Sequence, residues 1–193
     1  MIGRLAHERR GATALEFAFI LPPFLFMLMG GSEVVYQVYV QSILEGAIQK
    51  AARDSAIQGG AQRSDEFDDQ VVKMVQVVAK SATLESSTRR SYASFSSIKP
   101  ERFDDANNNN SYDSNECFED TNGNKRWDAD PGNIGQGGAN DATLYTLKLR
   151  YVRLFPVAAM LGWDQQAVIS ASTLLKNQPY ASQTVTATQR ICS

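Results

Sequence analysis

An apolar run near the N-terminus constrains this chain more than any other feature. From Ala12 to Ser32 the only formal charge is Glu16, and a run of this length matches a single membrane-spanning helix of about 20 residues. The positive charges of Arg9 and Arg10 precede it, which predicts a cytoplasmic N-terminus and export of the rest. A carboxylate within such a span is costly and usually faces a partner. Hydrophobicity alone therefore leaves Glu16 unexplained.

Composition excludes several function classes. The 193 residues fit one domain of ordinary size plus an appendage. Hydrophobic content is 43% and charged content 21%, as in globular proteins, and a net charge of −2 gives no basic field for nucleic acid. The only histidine, His7, lies in the basic leader. Hydrolases with an imidazole base and zinc enzymes are therefore disfavoured.

Three kinds of segment fit the apolar run. A secretory signal peptide would be cut after it, but the helical pattern continues past Gly30 and Gly31. A plain signal anchor explains the hydrophobicity and not the carboxylate. The third interpretation follows the order of residues, which is a basic pair, Gly11, four small or apolar residues, Glu16 and Phe17.

That order resembles the prepilin signal of type IV pilins. The short leader and the Glu16-Phe17 pair resemble the TadE-like branch, the pseudopilins of the Flp/Tad (tight adherence) pilus. Three later segments resemble the same family, namely CFEDTNGNKRWDADPG, DATLYTLKLRY and LLKNQPY. The resemblance implies that a prepilin peptidase cuts between Gly11 and Ala12. It also implies that Glu16 pairs with the new Ala12 amine of a neighbouring subunit, so that Glu16 and Phe17 set the register of assembly.

The resemblance further implies a minor pilin or pseudopilin, not an enzyme, which takes part in assembly, initiation or the tip of a Tad-type (type IVc) pilus used in surface adhesion. Its partners would be the prepilin peptidase, major and minor pilins, the inner-membrane assembly platform and the membrane, crossed once. The chain would lie in the bacterial inner membrane with a periplasmic head, and then in the pilus. The alternatives are a type II secretion-like pseudopilin, a calcium-dependent adhesin or anchored binding module, and an anchored enzyme using carboxylates.

The predicted fold class is α+β and type IV pilin-like. Residues 1–11 form the leader, 12–58 a transmembrane and pilus-core helix, and 59–193 an exported head with a long acidic loop at 101–141. Pro22 and Pro23 interrupt the helix as a tolerated kink or a flexible point.

The head is predicted to contain a second helix, which Ser64 caps, and a small antiparallel sheet. Alternating or β-forming residues predict strands at 91–99, 143–155 and 167–176. A small apolar stripe is expected to bury the second half of the first helix, and it comprises Leu44, Ala47, Ile48, Ala51, Ala52 and Ser55. No internal repeat is expected.

The loop at 101–141 holds ten acidic and three basic residues, a formal charge of −7. Alternating oxygen ligands are typical of calcium loops. The match to an EF-hand is partial, because Lys125 occupies position six and Pro131 position twelve. A looser calcium loop and turns satisfied by their own Asx side chains, with Trp127 as packing anchor, both remain open. The candidate ligands are Asp120, Asn122, Asn124, Asp128 and Asp130.

The two cysteines, Cys117 and Cys192, are expected to form a disulfide, because exported compartments are oxidising. The bridge would tie the C-terminal tail to the acidic loop and stabilise the fold by roughly 4 kcal/mol in the chain-entropy model. Two buried thiols are the alternative.

Overall fold

The first element is one long helix. The computed structural model describes residues 10–57, 61–179 and 187–192, and helix α1 runs over Arg10–Ser55. At about 1.5 Å per residue it is roughly 70 Å long. The helix ends three residues before the expected Gln58, which lies outside the described residues, as do the glycine pair that follows it and the leader through Arg9.

The helix continues through both prolines. Pro22 and Pro23 lie inside α1 with helical residues on either side. Proline removes a backbone hydrogen bond and is tolerated in spanning helices where neighbours satisfy the remaining groups. The proline pair therefore does not divide α1 into two elements.

The two halves of α1 have different surroundings. Nearly all side chains from Ala14 to Leu28 are exposed, whereas the second half enters the head. The predicted stripe is confirmed, since its six members are each at most 4% exposed, with Leu44 at 0% and Ile48 at 1%. The first half of α1 is thus not covered by the rest of the protein and is called the bare half below. The second half forms part of the core of the head.

The second helix, α2, spans Ser64–Gln76. Ser64 is its first helical residue and not its cap; Arg63 occupies the N-cap, and its side chain makes no capping hydrogen bond. Asp65 and Glu66 lie in the first turn, where negative charge favours the helix dipole. The apolar face buries Phe67, Val71 and Val75 against the core.

The main sheet has four strands in the order β3-β1-β4-β5, all antiparallel. The two predicted strands in the C-terminal half are confirmed, because they overlap β4 and β5, which pair along their whole lengths. The bounds are β1 Thr83–Tyr92, β3 Asn133–Ile134, β4 Ala142–Val152 and β5 Gln166–Lys176.

The predicted strand at 91–99 is wrong. The strand in this region is β1, which ends at Tyr92, and residues 93–99 form bends and a short 3-10 turn. The sequence TLESSTRRSY has no apolar alternation, because the core side of β1 is occupied by Arg89 and small polar residues. Strand β4, which pairs with β1, supplies the apolar side chains of the core instead.

One core lies between the sheet and the two helices. Alternate residues of β4 point into it, and Tyr145, Leu147, Leu149 and Tyr151 are each at most 1% exposed. The antiparallel partner β5 adds Ile169. This alternation is the period-two pattern that predicted the strand.

A charged pair is buried at the edge of this core. The Arg89 guanidinium reaches both carboxylate oxygens of Asp68, at 2.6 and 3.3 Å, and lies 4.1 Å from the centre of the Tyr145 ring. The Tyr145 hydroxyl donates to the same carboxylate. Burial and then this hydrogen bond raise the pKa of Tyr145. The pair therefore joins α2 to β1 and β4.

The C-terminal tail returns to the acidic region. Strand β6, Gln189–Ile191, pairs antiparallel with β2, Phe118–Asp120. The predicted disulfide between Cys117 and Cys192 is confirmed directly beside this pairing. Two short strands and one covalent bond thus hold the tail in place.

We predict that Asp68→Ala lowers the free energy of unfolding by about 3–5 kcal/mol, because Arg89 keeps a buried charge without its partner. Asp69→Ala is the matched control, since Asp69 is exposed on the same helix, and should change stability by about 0.5 kcal/mol or less. Denaturant unfolding of the full chain in detergent, followed by near-ultraviolet circular dichroism, measures both. Equal losses for the two variants would contradict the role of the pair.

Candidate functional site

The first candidate site is the bare half of α1. Glu16 and Phe17 are both exposed, Phe17 by 62%. Within the described residues no side chain forms an ion pair or hydrogen bond with Glu16. The backbone at Gly11 and Ala12 is helical, so these positions and Glu16 lie on one continuous helix. The carboxylate is presented at the surface among large apolar side chains.

That surface is apolar on all sides. The portion from Ala14 to Ser55 is long and apolar enough to cross a membrane, and its most apolar stretch is not buried within the protein. Exposed large side chains of the bare half include Leu15, Phe17, Phe19, Ile20, Phe24, Met27 and Leu28. An apolar helix of this kind requires lipid or other apolar helices around it.

The second candidate site is the acidic region, which contains an internal repeat. Two twelve-residue loops, 105–116 and 120–131, are offset by fifteen residues. The expectation of no internal repeat is therefore wrong. The equivalent pairs are Asp105 and Asp120, Asn107 and Asn122, Asn109 and Asn124, Asn110 and Lys125, Tyr112 and Trp127, and Asp113 and Asp128.

The sixth position of each loop has a left-handed backbone. Asn110 has a φ of 59° and Lys125 a φ of 62°, a conformation that favours glycine and is uncommon for other residues. The chain therefore makes the same tight turn twice, at equivalent positions.

The first residue of each loop caps that turn. Asp105 accepts hydrogen bonds from the backbone N–H groups of Asn109 and Asn110, at 3.0 and 2.8 Å. Asp120 accepts from Gly123 and Lys125, at 2.6 and 2.8 Å. Asx side chains commonly satisfy turn backbone in this way.

The asparagine amides converge on one carboxylate oxygen in each loop. In the first loop, the Nδ2 atoms of Asn107 and Asn109 donate to Oδ2 of Asp113, at 2.7 and 2.9 Å. In the second, those of Asn122 and Asn124 donate to Oδ2 of Asp128, at 2.9 and 2.6 Å. Each loop thus gathers three side chains around one point.

Two glutamates close the loops. Glu116, the last residue of the first loop, accepts from the backbone N–H groups of Ala106 and Asp113, at 2.9 and 3.0 Å. Glu101 does the same for the second loop, through Thr121 at 2.7 Å and Asp128 at 3.0 Å. Glu101 thus takes the role that Pro131 cannot fill.

The backbone between the loops also pairs. Phe103 and Phe118, again fifteen residues apart, form an antiparallel bridge. The rings of Tyr112 and Trp127 stack with centres 4.9 Å apart, and the Trp127 indole N–H donates to the Glu101 carbonyl at 2.9 Å. Trp127 is therefore the packing anchor that was predicted, and the two loops form one unit.

Buried carboxylates are unusually concentrated here. Glu101 and Glu116 are each 3% exposed and Asp120 is 1% exposed. In the described parts of the chain no lysine or arginine forms an ion pair with any of the three. Buried charge is normally paired with opposite charge or bound to metal, and here backbone N–H groups and the Thr121 hydroxyl compensate it.

One predicted calcium ligand lies elsewhere. Asp130 accepts from the Tyr92 hydroxyl at 2.7 Å and pairs with Arg90 at 3.0 Å, because the chain leaves the loop after Asp128 and meets β1. The other four predicted ligands lie together. Across the residues with described positions, no group of three or more His, Cys, Asp or Glu side chains is arranged to hold a metal, so asparagine oxygens would have to contribute.

The first loop was missed although its sequence carries a signal. DANNNNSYDSNE has Asp105 at position one, asparagines at three and five, Asp113 at nine and Glu116 at twelve. This is the oxygen-ligand spacing of a twelve-residue calcium loop with asparagine in place of the glycine at six. The run of four asparagines hides the pattern, since it looks like simple low complexity.

The family model described as TadE-like protein matches residues 11–53. The matched segment contains Gly11, Ala12, Glu16 and Phe17 and ends two residues before α1 does. It confirms the resemblance inferred from the order of residues between Gly11 and Phe17, whereas the three later segments lie outside the match. No curated protein and no solved structure matches the chain. The match covers 43 of the 193 residues and lies within α1, the helix that is long and apolar enough to cross a membrane.

We predict that Tyr92 titrates well above a normal tyrosine. Burial and its hydrogen bond to Asp130 raise the pKa of Tyr92 to about 12. Because the folded pKa exceeds the ordinary value of 10.0, this contact stabilises the fold fully below pH 10 and is lost as pH rises toward 12. The phenolate absorbance of the full chain, minus that of Tyr92→Phe, should show one late transition. A difference transition near pH 10 would contradict the contact.

Proposed function

We propose, from the TadE-like match over residues 11–53, that this chain is a minor pilin or pseudopilin of a Tad-type pilus, acting in its assembly, initiation or tip. The observation that carries the proposal is the division of α1. Its first half is bare and apolar and its second half is built into a head. Such a helix can lie in lipid before assembly and among other subunits' helices afterwards, with the head displayed outside.

Processing at Gly11 would give the bare half its function. Removal of the leader creates an α-amino group at Ala12, about one helical turn before Glu16. In a filament core of low dielectric constant, this amine and the carboxylate of a neighbouring subunit attract strongly. Neither charge is tolerated there alone. The pair would therefore fix the axial register of subunits, and Phe17 beside it would pack between helices.

The partners follow from this path. A prepilin peptidase would cut the chain, the inner-membrane assembly platform would extract it, and major and minor pilins would surround it in a pilus used for surface adhesion. The chain would begin as an inner-membrane protein with a cytoplasmic N-terminus and a periplasmic head. The basic residues that precede the span support this orientation.

The mass of the mature N-terminus tests processing. We predict that the chain begins at Ala12 when prepilin peptidase is present and at Met1 when it is absent. Gly11→Leu should block cleavage. Gly30→Ala is the control, because nothing lies within 4 Å of an added Cβ there, and it should be cut normally. An intact N-terminus in every case would contradict the pilin proposal and leave a plain membrane anchor.

Glu16→Gln separates processing from assembly. This variant should be cut at Gly11 but enter pili at least about tenfold less, since the buried amine loses its charge partner. Glu45→Gln is the matched control on the same helix, since Glu45 is exposed and, among the described residues, accepts a hydrogen bond from Gln41 alone. Immunoblotting of sheared pili measures incorporation. Equal incorporation of the two variants would remove Glu16 from the assembly mechanism.

We also propose that the duplicated loops bind calcium and make the head a calcium-dependent binding module. The observation favouring this is that both loops repeat the same ligand-type side chains around buried carboxylates without basic partners among the described residues. Turned by half a rotation, each asparagine amide would present its oxygen to the shared point. The sites would use Asp105, Asn107, Asn109, Asp113 and Glu116 in one loop, and Asp120, Asn122, Asn124, Asp128 and Glu101 in the other.

Calcium should therefore raise the melting temperature of the chelator-treated full chain in proportion to occupancy. Asp113→Asn and Asp128→Asn should each weaken the shift, through the first and second loop respectively. Asp130→Asn should leave it unchanged, because Asp130 points to Tyr92 and Arg90. The absence of any shift at millimolar calcium would contradict the site and leave the turns as purely structural.

A further inference from the structure

The loop between β4 and β5 is unusually apolar for an exposed segment. Residues 154–163, LFPVAAMLGW, carry no charged side chain, and the Trp163 indole is their only hydrogen-bonding one. Leu154 is 56% exposed, Met160 64%, Leu161 57% and Trp163 69%. The core does not account for this stretch, since most of these side chains point away from the protein.

The loop is ordered rather than frayed. Helix α3, Val157–Met160, forms its centre, and Gly162 follows with a φ of 76°, as glycine does after many helices. The backbone N–H of Trp163 donates to the Ala158 carbonyl at 2.8 Å, and the backbone N–H of Arg153 donates to the Gln165 carbonyl at 2.9 Å. The apolar side chains are therefore held outward by a compact turn.

A buried glutamate fastens the loop to α1. Oε2 of Glu33 accepts from the backbone N–H groups of Leu154 and Phe155, both at 3.1 Å. Glu33 is 7% exposed, and its other oxygen lies 3.8 Å from the Arg153 guanidinium. The position of the loop along α1 is thus fixed at Glu33.

Glu33 directly follows the apolar run that ends at Ser32. The 20 residues from Ala12 to Gly31 extend about 30 Å, which is the thickness of the hydrocarbon core. Glu33 then lies about 3 Å beyond that core, inside an interfacial layer about 5–7 Å deep on each side. The loop it holds must lie at the same depth.

We propose that residues 154–163 are a second membrane contact, which inserts into the interface of the leaflet from which the head emerges. Leu154, Met160 and Leu161 would reach the acyl boundary, and Trp163 would lie at the headgroups, where tryptophan is enriched. The inference rests on α1 spanning the membrane. The loop is continuous with that span, because Glu33 joins them, and this continuity identifies lipid as the occupant.

The charges beside the loop suit this position. Arg150 on β4 and Arg153 just after β4 precede it, and they pair with Glu85 and Glu33 respectively. The one acid that follows, Asp164, accepts the Gln166 N–H at 2.8 Å. Each of these three carboxylates therefore has a partner within the protein. Two points of attachment would fix the tilt of the head, which a single helix cannot do.

Trp163 itself reports the contact. The full-length Trp127→Phe variant, with one copy per nanodisc, leaves Trp163 as the only tryptophan. The discs contain phosphatidylethanolamine and phosphatidylglycerol with a nitroxide placed either near the headgroup or at the chain end. We expect shallow nitroxides to quench Trp163 at least about twofold more than deep ones, as for an interfacial indole. The control Trp163→Phe, which keeps Trp127 in the stacked pair, should be quenched by neither.

One further variant and two further quenching experiments complete the test. The double variant Met160→Ser, Leu161→Ser should keep the melting temperature, because both side chains are exposed, and should lose most of the quenching. Trp163 that is quenched fully by aqueous iodide and not by lipid nitroxides would overturn the proposal. Quenching that appears only with several copies per disc would assign the loop to a second copy instead. Failure of the chain to remain in the discs would refute the spanning helix, a different result.

Discussion

The rest of the structure depends on one constraint, which is that a single continuous helix has an uncovered apolar half and a half packed into the head. Helix α1 must be apolar on all sides where nothing covers it and amphipathic where the head packs on it. The sequence changes character at Glu33, the first buried carboxylate after the apolar run. Beyond it, small residues such as Ala47 and Ala51 let α2 and the sheet approach closely. The head is therefore organised around the second half of a helix whose first half extends beyond the head uncovered.

The two ends of the head differ in chemistry because of the sheet's antiparallel order. Strand β4 begins at Ala142, opposite Tyr92, and ends at Val152 beside the apolar loop. Tyr92 in turn holds Asp130 of the acidic unit. The acidic unit and the apolar loop thus lie at opposite ends of β1 and β4. If α1 spans a membrane, the apolar end faces lipid and the acidic end is held away from anionic headgroups, which would repel it.

Elements with a strong period were predictable and those held by polar contacts were not. Strands β4 and β5 follow from alternation, and the buried stripe of α1 follows from helical spacing. Strand β1 does not, because Arg89 takes a core-facing position and pairs with Asp68 on a distant helix. A prediction from propensity scores each residue by itself, whereas the Arg89–Asp68 pair forms only when folding brings the two residues together.

The acidic region also could not be predicted from its sequence, because it is more ordered than its composition indicates. Its composition favours a disordered or purely functional loop, yet it packs around stacked aromatic rings and a disulfide. What sequence reasoning lacked was the source of the second loop's closing glutamate, because Glu101 serves a loop that begins 19 residues later at Asp120. Only the second loop is incomplete alone, because Pro131 replaces its closing glutamate, whereas the first loop ends in its own Glu116. Substitutions at Glu101 should therefore damage the second loop more than the first.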